Sequence, residues 1–106
     1  MDIENICWHD GKIYETKFVA DYDSKPCFII SAELYKEPDH TPSRDRYSIT
    51  CENVKSFNFN CDVDELIDNE SAGNISNGYM KDNVLRIYFC DGYLEVKANK
   101  FVIEKL

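Results

Sequence analysis

The residues best suited to acid–base or nucleophilic chemistry lie near the N-terminus. Cys7 and His9 are two positions apart, so they would share one face of a strand, and Asp10 follows directly. An imidazole beside a carboxylate can act as a general base. Adjacent residues of an extended segment point to opposite faces, so we expect Asp10 not to orient His9. Nothing positive lies near Cys7 to stabilise a thiolate, and we therefore expect no enzyme activity.

A second candidate is an acidic run in the middle of the chain. From Ser56 to Met80 there is no Lys or Arg. Five carboxylates in this stretch account for more than half of the net charge of −8: Asp62, Asp64, Glu65, Asp68 and Glu70. An EF-hand calcium loop that began at Asp62 would place Leu66 and Gly73 at ligand positions, so the calcium pattern is not matched.

Two interpretations of the acidic run stay open. It can be an ordinary solvated face, or it can be a docking surface that attracts a basic protein and imitates a phosphate backbone. We name all five carboxylates as candidate partner-binding residues. The net charge of −8 disfavours direct contact with nucleic acid or with anionic membranes, because phosphate contacts need clustered Lys and Arg.

Composition places the chain among folded proteins, and since no nucleotide-binding or metal-binding motif occurs we expect no cofactor. Hydrophobic residues make up 43% of the 106 residues and aromatic residues 13%, which is unlike a disordered chain. No stretch approaches the roughly 20 apolar residues of a membrane span. The acidic N-terminus differs from a secretory signal, so we expect a cytoplasmic protein. The five cysteines contain no CxxC pair and are expected to be reduced thiols.

The clearest structural signal is a hairpin near the C-terminus. Asp91-Gly92 is a preferred dipeptide for a two-residue turn, which would pair Phe89 with Leu94 and Ile87 with Val96. Alternation then puts six apolar residues on one face: Leu85, Ile87, Phe89, Leu94, Val96 and Ala98.

A second hairpin is predicted from residues 11–22 and 28–35, joined by a turn-rich loop at 23–27. This register places Ala20 opposite Ile30 and Phe18 opposite Ala32. Two further alternating runs, at 47–51 and 57–63, predict strands. The apolar tail 101–106 is also β-like, either as a separate strand or as a continuation of 93–98 after a bulge at 99–100. Residues 62–69 favour a short helical turn, and residues 36–45 and 70–78 favour loops.

These elements predict one mainly β domain over residues 1–106. With about seven strands, at most one short helix and no long crossover, the expected architecture is an antiparallel β-sandwich or a half-open barrel.

Two segments resemble small bacterial immunity proteins of contact-dependent growth inhibition systems. They are Trp-His-Asp-Gly-Lys-Ile at 8–13, which opens a strand, and Leu-Glu-Val-Lys-Ala at 94–98 with Phe-Val-Ile at 101–103. The resemblance implies a protein that binds and neutralises a cognate toxin domain, often a basic nuclease such as a ribonuclease, by occluding its active site. We expect a monomer when the toxin is absent. No binding residue is implied position by position.

A different class of function is also open. A small ligand-binding or metal-binding β domain without a toxin partner would fit the same composition. Stabilisation by a small molecule or a divalent metal would distinguish it from an immunity protein.

Overall fold

The structure, a computed structural model, describes residues 6–22, 24–35, 44–68 and 73–106. Its strands are β1 (Cys7–Tyr22), β2 (Lys25–Tyr35), β3 (Asp45–Cys61), β4 (Ile75–Lys81), β5 (Val84–Phe89) and β6 (Gly92–Lys105), and helix α1 (Val63–Asp68) links β3 to β4. They form one sheet in the order β1-β2-β3-β6-β5-β4, with antiparallel neighbours. The mainly antiparallel β class is confirmed, as one sheet that is not closed into a barrel.

Alternation along the strands builds the hydrophobic core. In β2, Ile30, Ala32 and Leu34 are completely buried. The predicted face of the C-terminal hairpin is buried in full, from Leu85 to Ala98. Buried residues from all the strands form one cluster, so both halves of the curled sheet face the same interior.

Six strands are described where about seven were predicted. The runs at 47–51 and 57–61 belong to the single long strand β3, and residues 93–98 and 101–105 belong to β6. Asn53, with φ of 56°, and a register shift between Val54 and Ser56 bend β3 without ending it. Strand β4 occupies 75–81, so the predicted loop at 70–78 is wrong over 75–78; residues 70–72 lie outside the described residues.

The C-terminal hairpin has a different register from the one predicted. Its two turn residues are Cys90 and Asp91, and Phe89 pairs with Gly92 rather than with Leu94. The shift between the two registers is two residues, so the same side chains stay on the core face. Gly92 is needed elsewhere: a Cβ on it would lie 2.0 Å from the carbonyl oxygen of Asn60, and its φ is 133°.

The N-terminal hairpin is also present with a corrected register. Phe18 pairs with Phe28, not with Ala32, and the turn lies between Tyr22 and Lys25. A register shift between Ile13 and Glu15 exchanges the two faces of β1. Ile13 is therefore buried at 6% exposure, whereas the next residue, Tyr14, is 40% exposed. Phe18 pairs with buried Phe28 and so stays on the core side of the sheet, but it is 47% exposed.

The two edge strands, β1 and β4, lie side by side without a backbone ladder in the described residues. Buried Asn74 joins them, because its Oδ1 accepts from the Ile13 N–H at 2.9 Å and its Nδ2 donates to the Ile13 carbonyl at 3.0 Å. Gly78 lets the strands approach, since a Cβ there would lie 2.8 Å from Cγ of Trp8. We call this contact, formed by Trp8, His9, Ile13, Asn74, Ser76 and Gly78, the β1–β4 seam.

In the described part of the chain, no helix is long and apolar enough to cross a membrane.

Candidate partner-binding site

Helix α1 begins at the acidic run and is fixed by it. Oδ1 of Asp62 accepts hydrogen bonds from the backbone N–H groups of Asp64 at 3.0 Å and Glu65 at 3.2 Å, which makes Asp62 the N-cap. The Asp62 N–H donates to the carbonyl of Asp91 at 3.0 Å. The helix is thereby attached to the β5–β6 turn, and the predicted helical turn at 62–69 is found at 63–68.

The structure brings three of the five predicted partner-binding carboxylates together at the start of α1. Asp62, Asp64 and Glu65 are all exposed. Asp68 belongs to α1, but its side chain lies outside the described residues, as does Glu70. Carboxylates in a first turn also favour the positive end of the helix dipole, so they have a structural role beside any role in binding.

A cleft runs between α1 and β1. Its two connected parts have volumes of about 210 Å³ and 180 Å³. What we call the α1 cleft is lined mainly by apolar side chains, with two charged residues and one amide among them: Lys12, Ile13, Tyr14, Glu15, Thr16, Phe59, Leu66, Ile67 and Asn74. Leu66 packs against the core, whereas Ile67 is 58% exposed. The helix therefore forms one wall of an apolar channel that is open to solvent.

Further exposed hydrophobic side chains lie on β1, β3 and α1, the elements that form this cleft. Phe18 and Phe57 are each more than 40% exposed, and their ring centroids lie 5.1 Å apart. Phe57 also contacts buried Phe28 at 4.7 Å, and Val63 at the start of α1 is 61% exposed. Clustered exposed apolar side chains with a charged rim are typical of a protein interaction site. The acidic residues were predicted from the sequence, but the apolar residues were not, because they come from β1, β3 and α1, which are distant in the sequence.

A second group of surface residues lies on the outer face of β4, β5 and β6. Arg86 pairs with Glu95, donates to the Tyr88 hydroxyl at 3.2 Å and lies 5.0 Å from the ring centre of Tyr93. The hydrogen bond from Arg86 lowers the pKa of Tyr88, and a hydrogen bond with Tyr88 raises the pKa of Tyr79. These contacts hold the tyrosines rigidly, as in interfaces rich in Tyr and Arg.

His9 and Asp10 lie closer together than alternation predicted. Asp10 has φ of 62°, so the strand is not regularly extended there, and its Oδ2 lies 3.6 Å from His9 Nε2. The expectation that the two side chains would diverge is wrong for that reason. The other ring nitrogen, Nδ1, donates to the carbonyl of Ser76 at 2.9 Å, so His9 also fastens β1 to β4.

The described residues offer no metal site. Across 6–22, 24–35, 44–68 and 73–106, no three His, Cys, Asp or Glu side chains are grouped to hold an ion. Two of the cysteines, Cys27 and Cys51, are buried thiols. Burial raises the pKa of Cys51 to about 12, which keeps that thiol protonated and unreactive at neutral pH.

Comparisons of the chain with protein-family models, curated proteins and solved structures give no match. The contacts of the α1 cleft and its acidic rim are therefore the basis on which a function can be inferred.

Proposed function

We propose that this chain binds a basic protein through the α1 cleft and its acidic rim, and that it thereby neutralises the partner. The proposal depends on one observation: exposed Asp64 and Glu65 belong to the same short helix as Leu66 and Ile67, which line a cleft that is open to solvent. Charge brings a basic partner to this end of the molecule, and burial of apolar side chains then holds it.

The apolar part of the site supports a protein partner rather than a small ligand. The two parts of the cleft measure about 210 Å³ and 180 Å³ and are open to solvent. Pockets for small molecules enclose most of the ligand, whereas this cleft leaves a large part of its contents exposed to solvent. A shallow channel bordered by exposed aromatic rings is better suited to side chains from a protein surface.

The partner we propose is a toxin nuclease, most simply a ribonuclease, with this chain as its immunity protein. The resemblance of residues 8–13 and 94–103 to immunity proteins supports this choice. A nuclease cleft is lined with basic groups that bind substrate phosphates, so carboxylates at 64 and 65 can occupy the same positions. Inhibition then follows from occlusion of the active site.

A binding and inhibition experiment tests the proposal. The tagged chain is used to capture the polypeptide encoded next to its own gene, and the captured protein is then assayed for RNA cleavage with and without added chain. We expect stoichiometric binding and loss of cleavage. If the neighbouring polypeptide is not bound, or if its nuclease activity persists in the complex, the immunity proposal is wrong.

A thermal-shift screen with divalent metals and small metabolites serves as the control for the alternative class. A ligand that stabilises the chain in the absence of any protein would favour a small-ligand domain.

A further inference from the structure

We propose that the partner enters the α1 cleft as an extended segment that adds a strand to the free edge of β1 at residues 14–20. This inference rests on the proposed function and names the mode of binding at the same site. The occupant is a stretch of a basic protein in which apolar residues alternate with Lys or Arg.

The first observation is the state of the β1 edge. Strand β1 pairs with β2 as far as Tyr22, but its other edge meets β4 only at the β1–β4 seam. Beyond Ile13, no strand within the described ranges pairs with that edge. An unpaired strand edge presents a row of N–H and C=O groups that can bind another chain.

The second observation is the way Asn74 binds. Its side-chain amide both accepts from the N–H and donates to the carbonyl of Ile13. One residue of an adjacent antiparallel strand makes the same pair of hydrogen bonds through its own N–H and C=O groups. Asn74 thus occupies the position of one residue of a missing strand, and the cleft continues that line toward Thr16.

The third observation is that the side chains beside this edge face the cleft. Thr16 pairs with fully buried Ile30 and Phe18 pairs with buried Phe28, so both project to the core side of the sheet. Phe18 is nevertheless 47% exposed. Phe59 and Leu66 border the opposite side. An added strand would insert alternate side chains between these walls, and specificity would come from those pockets.

The charged residues around the cleft determine which side chains the bound segment should carry. Glu15 lines the cleft on β1, and exposed Asp64 and Glu65 belong to α1, the helix that contributes Leu66 to the lining. Lys12 also lines it, near the seam, so the negative charge is concentrated toward α1. Side chains of the segment that point away from the core therefore meet carboxylates, which favours Lys and Arg there.

The test uses a phage-displayed library of random dodecapeptides as the probe, panned against the full chain. We expect enrichment of peptides with alternating apolar and basic residues. Binding should fall at least about 10-fold for Thr16→Arg, which fills the cleft, and for Ile67→Glu, which changes an exposed position on the opposite wall. Lys17→Arg, on the other face of β1, is the matched control and should bind like the wild type. Thermal unfolding verifies that each variant is folded.

A second measurement separates strand addition from simple apolar docking. The best peptide is synthesised with N-methyl groups on its odd-numbered or on its even-numbered amides. Only alternate amides of an added strand donate to its neighbour, so one of these two peptides should lose binding by about 10-fold or more and the other should not. If both bind like the parent peptide, or if panning enriches no peptide sensitive to Ile67→Glu, strand addition is excluded.

The outcome is distinguishable from failure of the proposed function. If the Thr16→Arg variant still neutralises the nuclease encoded next to its gene, the chain is an immunity protein that does not bind by strand addition. A chain that binds the peptides and inhibits no nuclease keeps the edge site and loses the immunity role.

Discussion

At the scale of single residues, Asn74 has the most demanding role. It is 4% exposed, and both the oxygen and the nitrogen of its side-chain amide form hydrogen bonds with the backbone of Ile13. Nothing in the composition or spacing of the sequence distinguishes this buried asparagine from an exposed one. Its burial depends on a contact with Ile13, which lies 61 residues away in the sequence.

Replacement of Asn74 by Ala should lower the free energy of unfolding by about 2–3 kcal/mol. The reason is that the N–H and C=O groups of Ile13 would stay buried without their partners. Urea unfolding followed by circular dichroism measures the change. Asn77→Ala, at an exposed position three residues further along the chain, is the control and should change stability by less than about 0.5 kcal/mol. Equal effects of the two substitutions would show that the seam bonds do not stabilise the fold.

Cys51 gives a prediction for alkaline pH. Burial raises the pKa of this thiol from 9.0 to about 12, with a smaller contribution from Cys27. Between these values the unfolded chain releases a proton that the folded chain keeps, so the free energy of unfolding falls as pH rises. Below the lower value Cys51 adds no pH dependence.

The measurement compares the wild type with Cys51→Ala at about pH 8.5 and about pH 10.5. Lys and Tyr titrate in both proteins, so the difference between the two slopes isolates Cys51. We expect the wild type to lose about 1–2 kcal/mol more than the variant over this interval. Parallel slopes would mean that the Cys51 thiol ionises in the folded state as readily as in the unfolded chain.

At the scale of elements, alternation predicted faces well and registers poorly. The core face of the β5–β6 hairpin was correct because each apolar side chain in it repeats every second residue. Its register was wrong because Asp91-Gly92 fits a turn, while Gly92 is required for contact with Asn60 on β3. Such a contact between strands distant in sequence leaves no local pattern. Strand β4 was missed for a related reason, since an exposed edge strand shows no clear alternation.

The cap of α1 offers a prediction at this scale. Asp62→Ala removes the acceptor for two backbone N–H groups, whereas Asp64→Ala removes the same charge without the cap. We expect the first substitution to cost about 1 kcal/mol and the second only a few tenths. Hydrogen exchange at the amides of Asp64 and Glu65 should accelerate only in Asp62→Ala. Equal acceleration in both variants would indicate that charge, not capping, orders the helix.

At the scale of the whole molecule, the distribution of charge matters more than its sum. The net charge of −8 was evident from the composition, and the site was expected near residues 62–70. The fold adds the apolar half, since β1, β3 and α1 converge on the cleft from distant parts of the sequence. This convergence was not predicted, because a contact between distant segments leaves no local pattern in the sequence.

Charge reversal at two matched positions tests the acidic rim. Glu65→Lys and Glu104→Lys change the net charge equally and both sites are exposed, but Glu104 lies at the far end of β6. We expect Glu65→Lys to slow association with the captured partner by about 10-fold, and Glu104→Lys by about 3-fold or less. Stopped-flow measurements at several salt concentrations give the rates. Equal slowing would mean that the partner responds to net charge alone.

The β1–β4 seam also affects where the native structure opens locally. Strand ladders hold every other boundary of the sheet, whereas this one depends on side chains from Asn74 and His9 and on the approach of Trp8 to Gly78. Its two strands are the outermost in the sheet order, so they meet only after the intervening strands have paired. The seam should thus form last in folding and open first in the native state. Such a partial opening would widen the α1 cleft while β2, β3 and β6 remain intact, and access to the cleft would be governed by a rate of local opening.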